Sequence, residues 1–276
     1  MASFEQSIDL PVQRPKLPSA FLSTVGRFFS RTGAILAFIA LWETAPRLGL
    51  VERAFLPPFT EVLRTAWLLL KNGQLESHIL ASLTRSLTGF SVAILYAVPL
   101  GLAIGWFKRF ADVLNPLLET FRNTAPLALL PVFLLLLGIG ESSKIALVIY
   151  SCSWPILLNT ISGVRNVDPL LIKSAKTMGL SSYELLRKVV LPASVPTIFV
   201  GIRLAGAYSL LVLVAAEMVG AKAGLGYLII YSQYNFQIPH MYVGILTTTV
   251  IGLTFTQLLM WVERRFTSWK APVGTE

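Results

Sequence analysis

Long apolar runs separated by short polar stretches organise this chain. The clearest run is the 22 consecutive uncharged residues from Ser86 to Phe107, which as a helix at 1.5 Å per residue can cross a hydrocarbon core of about 30 Å. Further runs at about 120–140, 145–164, 194–220 and 241–262 read the same way, and a first one, about 28–48, is interrupted by Glu43. The pattern predicts an all-α, polytopic membrane protein with about six spanning helices. Between Pro57 and Gly73, Phe59, Val62, Leu63, Ala66, Trp67 and Leu70 form one stripe with Glu61, Arg64 and Lys71 off it, the mark of an amphipathic helix lying on the membrane or on the bundle.

Inside the spans, Gly101 and Gly105 make a small-xxx-small pair that lets a neighbouring helix approach closely. Pro99 is placed to kink its helix, and Trp154-Pro155 to bend the next but one. The one long polar segment in the second half is 168–192. Asp168 is placed to cap a short helix with Pro169 at its first position. Gly179 ends that helix, and Ser181 with Glu184 forms a capping box that starts another. Leu191-Pro192 then closes the second helix or kinks it into the next apolar run.

Composition sharpens this picture. The chain is 54% hydrophobic and 13% charged, with a mean hydropathy of +0.68, whereas a soluble domain carries about 25% charged residues. The net charge of +9 is spread in short clusters beside apolar runs, as membrane-flanking residues are, so a nucleic-acid partner is set aside. Cys152 is the single cysteine, which excludes an intrachain disulfide and reads as a core residue. The first residues show no signal-peptide cleavage pattern, so the first apolar run is expected to stay in the membrane. Six spans put both termini on one side; that side then holds 14 basic residues against six on the other, which predicts cytoplasmic termini and a cytoplasmic segment 168–192. The domain reading is an arm over 1–32, a single transmembrane domain over 33–265 and a tail over 266–276.

The polar segment resembles the cytoplasmic loop of the permease subunits of bacterial ABC importers, whose pattern is Glu-Ala-Ala, three residues, Gly, nine residues, Ile-x-Leu-Pro. Lys173-Ser174-Ala175, Gly179 and Val189-Val190-Leu191-Pro192 hold the matching positions at the matching spacing, with Lys173 where the pattern has an acid and Ser174 where it has its first alanine. Trp154-Pro155, Leu158-Asn159-Thr160, Gly201-Ile202-Arg203-Leu204-Ala205, Ala216-Glu217 and Gly224-Leu225-Gly226-Tyr227-Leu228 look like the branch that imports nitrate, bicarbonate, taurine and alkanesulfonates. The resemblance implies a coupling hairpin in which Lys173, Ser174, Ala175, Gly179, Leu191 and Pro192 face a separate ATPase, Ser174 and Ala175 being small enough for close approach. It implies further a permease homodimer in the bacterial inner membrane, an extracytoplasmic substrate-binding protein, and ATP and magnesium held on the partner ATPase subunits rather than in this chain. The sequence agrees in having no Gly-x-x-x-x-Gly-Lys-Ser/Thr loop.

Ionisable groups within spans are the default candidates for a path. Arg203 and Glu217 stand 14 residues apart, about 21 Å along one helix, so they do not pair with each other. Arg203 either attracts an anion on its way through or bonds a carboxylate or carbonyls of another helix. Glu43 reads as an interfacial or interior-facing residue. His78 and His240, far apart in sequence, each read as interfacial. Over 221–240, Tyr227, Tyr231, Tyr234 and Phe236 suit an outer segment meeting a binding protein, or an aromatic belt. An ion-coupled secondary transporter is the alternative; it needs coupling carboxylates within the spans, for which Glu43 and Glu217 are available. A membrane enzyme lacks a catalytic constellation.

Overall fold

The computed structural model describes residues 19–266, with side chains from residue 33 onward. The expected arm over 1–32 and tail over 266–276 lie outside the described residues, apart from the helical backbone of 19–32 and Phe266. All regular elements among the described residues are helical, in keeping with the all-α class that the apolar runs predict. The chain divides into two units, 1–60 and 61–276.

In the first unit, helix α1 (Ser19–Arg47) contains the predicted segment at 28–48. Trp42 donates its indole N–H to the Pro57 carbonyl at 3.0 Å. Glu43 is not free: its carboxylate accepts from the backbone amide of Thr60 at 3.0 Å and from its hydroxyl at 2.9 Å, and pairs with Arg47. It thus serves the amide end of the next helix, α2 (Phe59–Lys71), where a negative charge is favoured. The amphipathic stripe accounts for α2, with Val62 and Leu69 buried.

In the second unit the chain continues through α3 (Gln74–Trp106), α4 (Lys108–Arg122), a 3-10 turn (Pro126–Leu129), α5 (Leu130–Leu137) and α6 (Glu141–Arg165). It then runs through α7 (Pro169–Thr177), α8 (Ser182–Leu185), a π turn (Leu186–Val190), α9 (Leu191–Glu217), α10 (Leu225–Tyr234) and α11 (Ile238–Phe266). Among the described residues α3, α6, the continuous helix Ser182–Glu217 and α11 are long and apolar enough to cross a membrane, and α4 with 126–137 makes a fifth such segment bent by 87°.

Helix α6 sits between α3 and α9 and forms the core with them. Phe90, Ala93, Ala97 and Ile104 of α3, Val148, Cys152 and Ile156 of α6, and Ala205 and Leu213 of α9 make one buried cluster. Cys152 is fully buried, as a core residue. The predicted close approach at Gly101 and Gly105 is made against α6: a Cβ on Gly101 would stand 2.7 Å from Cβ of Thr160, and one on Gly105 the same distance from Cβ of Val164.

Two boundaries differ from the sequence reading, each for a local reason. Helix α3 starts at Gln74 rather than Ser86, because Arg85, which ended the uncharged run, is neutralised inside the protein. The segment expected as one span over 120–140 breaks at 123–125, where Pro126 at the head of the 3-10 turn disfavours helix in the residue before it. At Leu191-Pro192 the second of the two outcomes read from the sequence is found: a π turn carries α8 on into α9. The segment 221–240, read as outer, contains helix α10, with Leu225, Gly226, Leu228 and Ser232 buried.

Candidate functional site

Every bond that shapes the hairpin at 168–192 is local. Asp168 Oδ1 accepts from the Leu170 amide at 2.8 Å, with Pro169 at the first helical position. Gly179 adopts φ 80°, which glycine alone adopts without penalty. There the amide of Leu180 reaches the Ala175 carbonyl at 3.3 Å and that of Gly179 the Lys176 carbonyl at 3.0 Å, the two bonds of a Schellman motif. The capping box then forms: Glu184 N donates to Ser181 Oγ at 3.3 Å, and Ser181 N to Glu184 Oε2 at 3.1 Å. Beneath these turns Ala175, Leu185 and Val190 pack with Val164 and Val167, at the end of α6, and against Leu102 and Trp106 of α3.

The outer face of the hairpin is apolar at several points. Leu170 is 68% exposed, Met178 78% and Tyr183 70%. Lys173, Ser174, Gly179 and Pro192 are exposed beside them, while Leu191 is half-buried. Ala175 is different: it is buried and packs with Leu180 inside the hairpin. The helix Ser182–Glu217 has 36 residues, about 54 Å, well beyond a hydrocarbon core of about 30 Å. About 24 Å of it therefore lies outside the apolar layer, and the charged side chains of its first turns, Glu184, Arg187 and Lys188, mark that end as the one outside. In that setting the Lys188 ammonium, 2.8 Å from Glu184, and the bonds from Ser181 hold the Glu184 carboxyl down to about 2.

The two candidate path residues are both engaged. Arg203 Nη1 donates to Glu263 Oε2 at 2.8 Å, joining α9 to α11, which is the bundle-holding alternative. Glu217 is fully buried, and its oxygens accept from Arg85 Nη1 at 2.7 Å, Ser82 Oγ at 2.8 Å and the Gly226 amide at 3.0 Å. Arg85 also bonds Glu141 through a second nitrogen at 2.7 Å and the Ala223 carbonyl at 2.7 Å. Lys144 is buried and donates to the Gly140 carbonyl at 2.9 Å. Arg85 with Glu141 and Glu217 thus links α3, the start of α6 and the end of α9 to the turn before α10. The sequence reading missed Arg85; its signal was Ser82 and Arg85 three residues apart, on one helical face.

His78 and His240, remote in sequence, line one cavity of about 450 Å³ together with Tyr227, Tyr231 and Gln237. His78 Nδ1 accepts from the Gly224 amide at 3.1 Å, which leaves its other nitrogen to carry the proton. Among the described residues no group of three or more metal-ligating side chains is assembled.

The binding-protein-dependent transport system inner membrane component family matches residues 97–268, more than half of the chain. A probable ABC transporter permease protein of Brucella abortus is 36% identical over 215 residues, covering 78% of this chain and 86% of its own. A putative aliphatic sulfonates transport permease protein of Bacillus subtilis is 32% identical over 232 residues, covering 84% of each. Among solved structures, an inward-facing form of the MetNI methionine ABC transporter superposes with a TM-score of 0.61 at 16% identity, covering 73% of this chain and 97% of that one; this is a likeness of fold. These relatives are transport permeases, and the family works with ATPase and binding-protein partners. With the loop spacing, the helical membrane fold and the match over 97–268 in agreement, the chain belongs to the binding-protein-dependent inner membrane permeases of ABC transporters.

Proposed function

We propose that this chain is the membrane subunit of an ATP-driven importer of a small anion of the sulfonate, taurine, nitrate or bicarbonate class, acting as a homodimer with both termini in the cytoplasm. The observation that carries the energy-coupling part is the hairpin: its ends are capped, its turn is closed by a Schellman motif, and it still presents Leu170, Met178 and Tyr183 to solvent. A stiff element with exposed apolar side chains suits docking on a separate ATPase, whose bound ATP and magnesium supply the energy. Lys173, Ser174, Ala175, Gly179, Leu191 and Pro192 are its coupling residues, Ala175 acting from within by shaping the surface. Lys173 is exposed and offers the ATPase a positive charge where the family pattern has an acid. The sulfonate-permease relative supports the anion class, and selectivity is assigned chiefly to the external binding protein. The secondary-transporter alternative is not favoured, because Glu43 and Glu217 are both held in local bonds.

Gly179→Val tests the coupling role. The variant is expected to insert into the membrane and still meet its ATPase, while ATP hydrolysis no longer drives uptake, because a β-branched residue at φ 80° unwinds the turn. Transport at the wild-type rate by this variant would refute the assignment. Failure of the purified chain to bind any ATPase, with uptake that collapses under an ionophore while ATP is maintained, would refute the importer reading itself.

A further inference from the structure

Midway along α6, beside Pro155, a cavity of about 350 Å³ opens between this helix, the corner after α4 and the middle of α9. Its size falls within the usual range of small-ligand sites, about 300–1,000 Å³. Its lining is mainly apolar, so the few polar groups decide what can enter. Two of the lining residues carry a side-chain group without a hydrogen-bond partner, the Ser151 hydroxyl and the Trp154 indole Nε1, each with almost no accessible area of its own. Ser151 as a whole is only 3% exposed. Folded interiors seldom leave such groups unmatched, and the indole, a donor only, can be matched solely by an acceptor.

The indole is also fixed in place. Its ring stacks on Phe121 with centroids 6.5 Å apart and planes 9° from parallel, and meets Tyr150 edge-on at 5.6 Å. Tyr150 in turn donates its hydroxyl to the Phe121 carbonyl at 2.8 Å. Trp154 therefore does not turn to seek an acceptor elsewhere. Arg122 lines the same cavity, is exposed, and takes part in none of the ion pairs among the described residues. Arg85 and Arg203, by contrast, have their charge cancelled by carboxylates.

We propose that this cavity is a transit site for a small oxyanion, whose oxygens accept from the Trp154 N–H and the Ser151 hydroxyl while Arg122 balances its charge at the mouth. The proposal rests on the importer reading above and gives it a place in the chain. Ser151 is ten residues from Glu141 and 14 from Arg165, about 15 and 21 Å along the helix, hence near mid-span. Two neutral donors and one exposed guanidinium hold an anion without trapping it. A fully buried, unpaired arginine would bind it too tightly to release.

Equilibrium binding to the full-length chain in detergent, without its binding protein, tests the site. The probes are methanesulfonate, nitrate and bicarbonate, with dimethyl sulfone as a neutral match for the first. At least one anion is expected to bind saturably and the sulfone not at all. Trp154→Phe, which keeps the ring stack, and Ser151→Ala are each expected to weaken that binding by about 10- to 100-fold, the range for a bond to a charged group. Arg122→Gln should weaken it as much and Arg122→Lys far less. Arg122 is exposed, so its variants decide the matter even where Trp154→Phe lowers the melting temperature. Binding of no anion, equal binding of the sulfone, or binding indifferent to Arg122→Gln would overturn the site. If the complete importer in proteoliposomes still takes up the anion with ATP in all variants, the site is wrong and the importer reading stands. If the wild-type importer carries only neutral or cationic solutes, the importer reading for anions falls with it.

Discussion

Glu184 is where the charge of a single side chain governs the hairpin. Held near 2 by Lys188 and Ser181, its carboxyl lies below its ordinary value of 4.5, so its ionised form favours the folded hairpin. That contribution is fully present above about pH 4.5 and is lost only as pH falls through about 2. Carboxyl titration followed by NMR should place the Glu184 midpoint near 2, and Glu184→Gln should speed amide exchange over 181–185 at neutral pH. A midpoint above 4 would show the capping box to be open. These bonds could be read in the sequence because their partners are three or four residues apart. The partner of Glu217 could not: Arg85 lies 132 residues away, and no local periodicity links two side chains at that separation. Arg203 was legible only as a choice between two roles, since Glu263 is 60 residues distant.

Among the elements, the pairing of α3 with α6 depends on absent side chains. With Thr160 and Val164 seated where Cβ atoms of Gly101 and Gly105 would stand, Gly101→Val must push the helices apart. We expect a loss of about 1–3 kcal/mol, read as a lower melting temperature in detergent, with Gly33→Val as control because nothing lies within 4 Å of it. An unchanged melting temperature would mean that the helices do not pack as described. Spacing announced this contact, since a four-residue step keeps two glycines on one face. Helix α10 was concealed by its aromatic content: Tyr227, Tyr231 and Tyr234 suit a membrane belt equally well. What makes it a packed helix is a tertiary fit, the Gly226 backbone lying so close to α9 that a Cβ would stand 2.1 Å from the Val214 carbonyl.

For the unit 61–276, Arg85 with Glu217 and Glu141 acts as a single fastening. Arg85 and Glu217 are both buried, so removing either leaves the other without its partner, a loss of about 3–5 kcal/mol when no other group replaces it. Glu217→Gln should therefore lower the yield of folded protein and its melting temperature, and Arg85→Lys should do so as well, because a lysine lacks the fork that spans Glu141, Glu217 and the Ala223 carbonyl. A Glu217→Gln protein as stable as wild type would contradict this. That the long apolar runs are helical was legible from the sequence, since lipid demands such runs; their number was not, because six spans were expected and the described residues hold four helices long and apolar enough to cross, with one bent pair as a fifth. The bend at 123–125 and the start of α3 were not legible either, because proline placement and charge neutralisation depend on what lies alongside.

The unbroken helix from Ser182 to Glu217 has a mechanical consequence. It is a rod of about 54 Å with the hairpin at one end and the buried carboxylate at the other, so each degree of tilt imposed at Ser182 sweeps Glu217 through about 1 Å. Hydrogen bonds fail over a stretch of about that length. A rotation of a few degrees at the hairpin is thus enough to pull Glu217 off Ser82, Arg85 and the Gly226 amide together, unless the π turn at 186–190 yields first. The compliance of that one turn sets how much of a push at one face of the membrane is felt at the other.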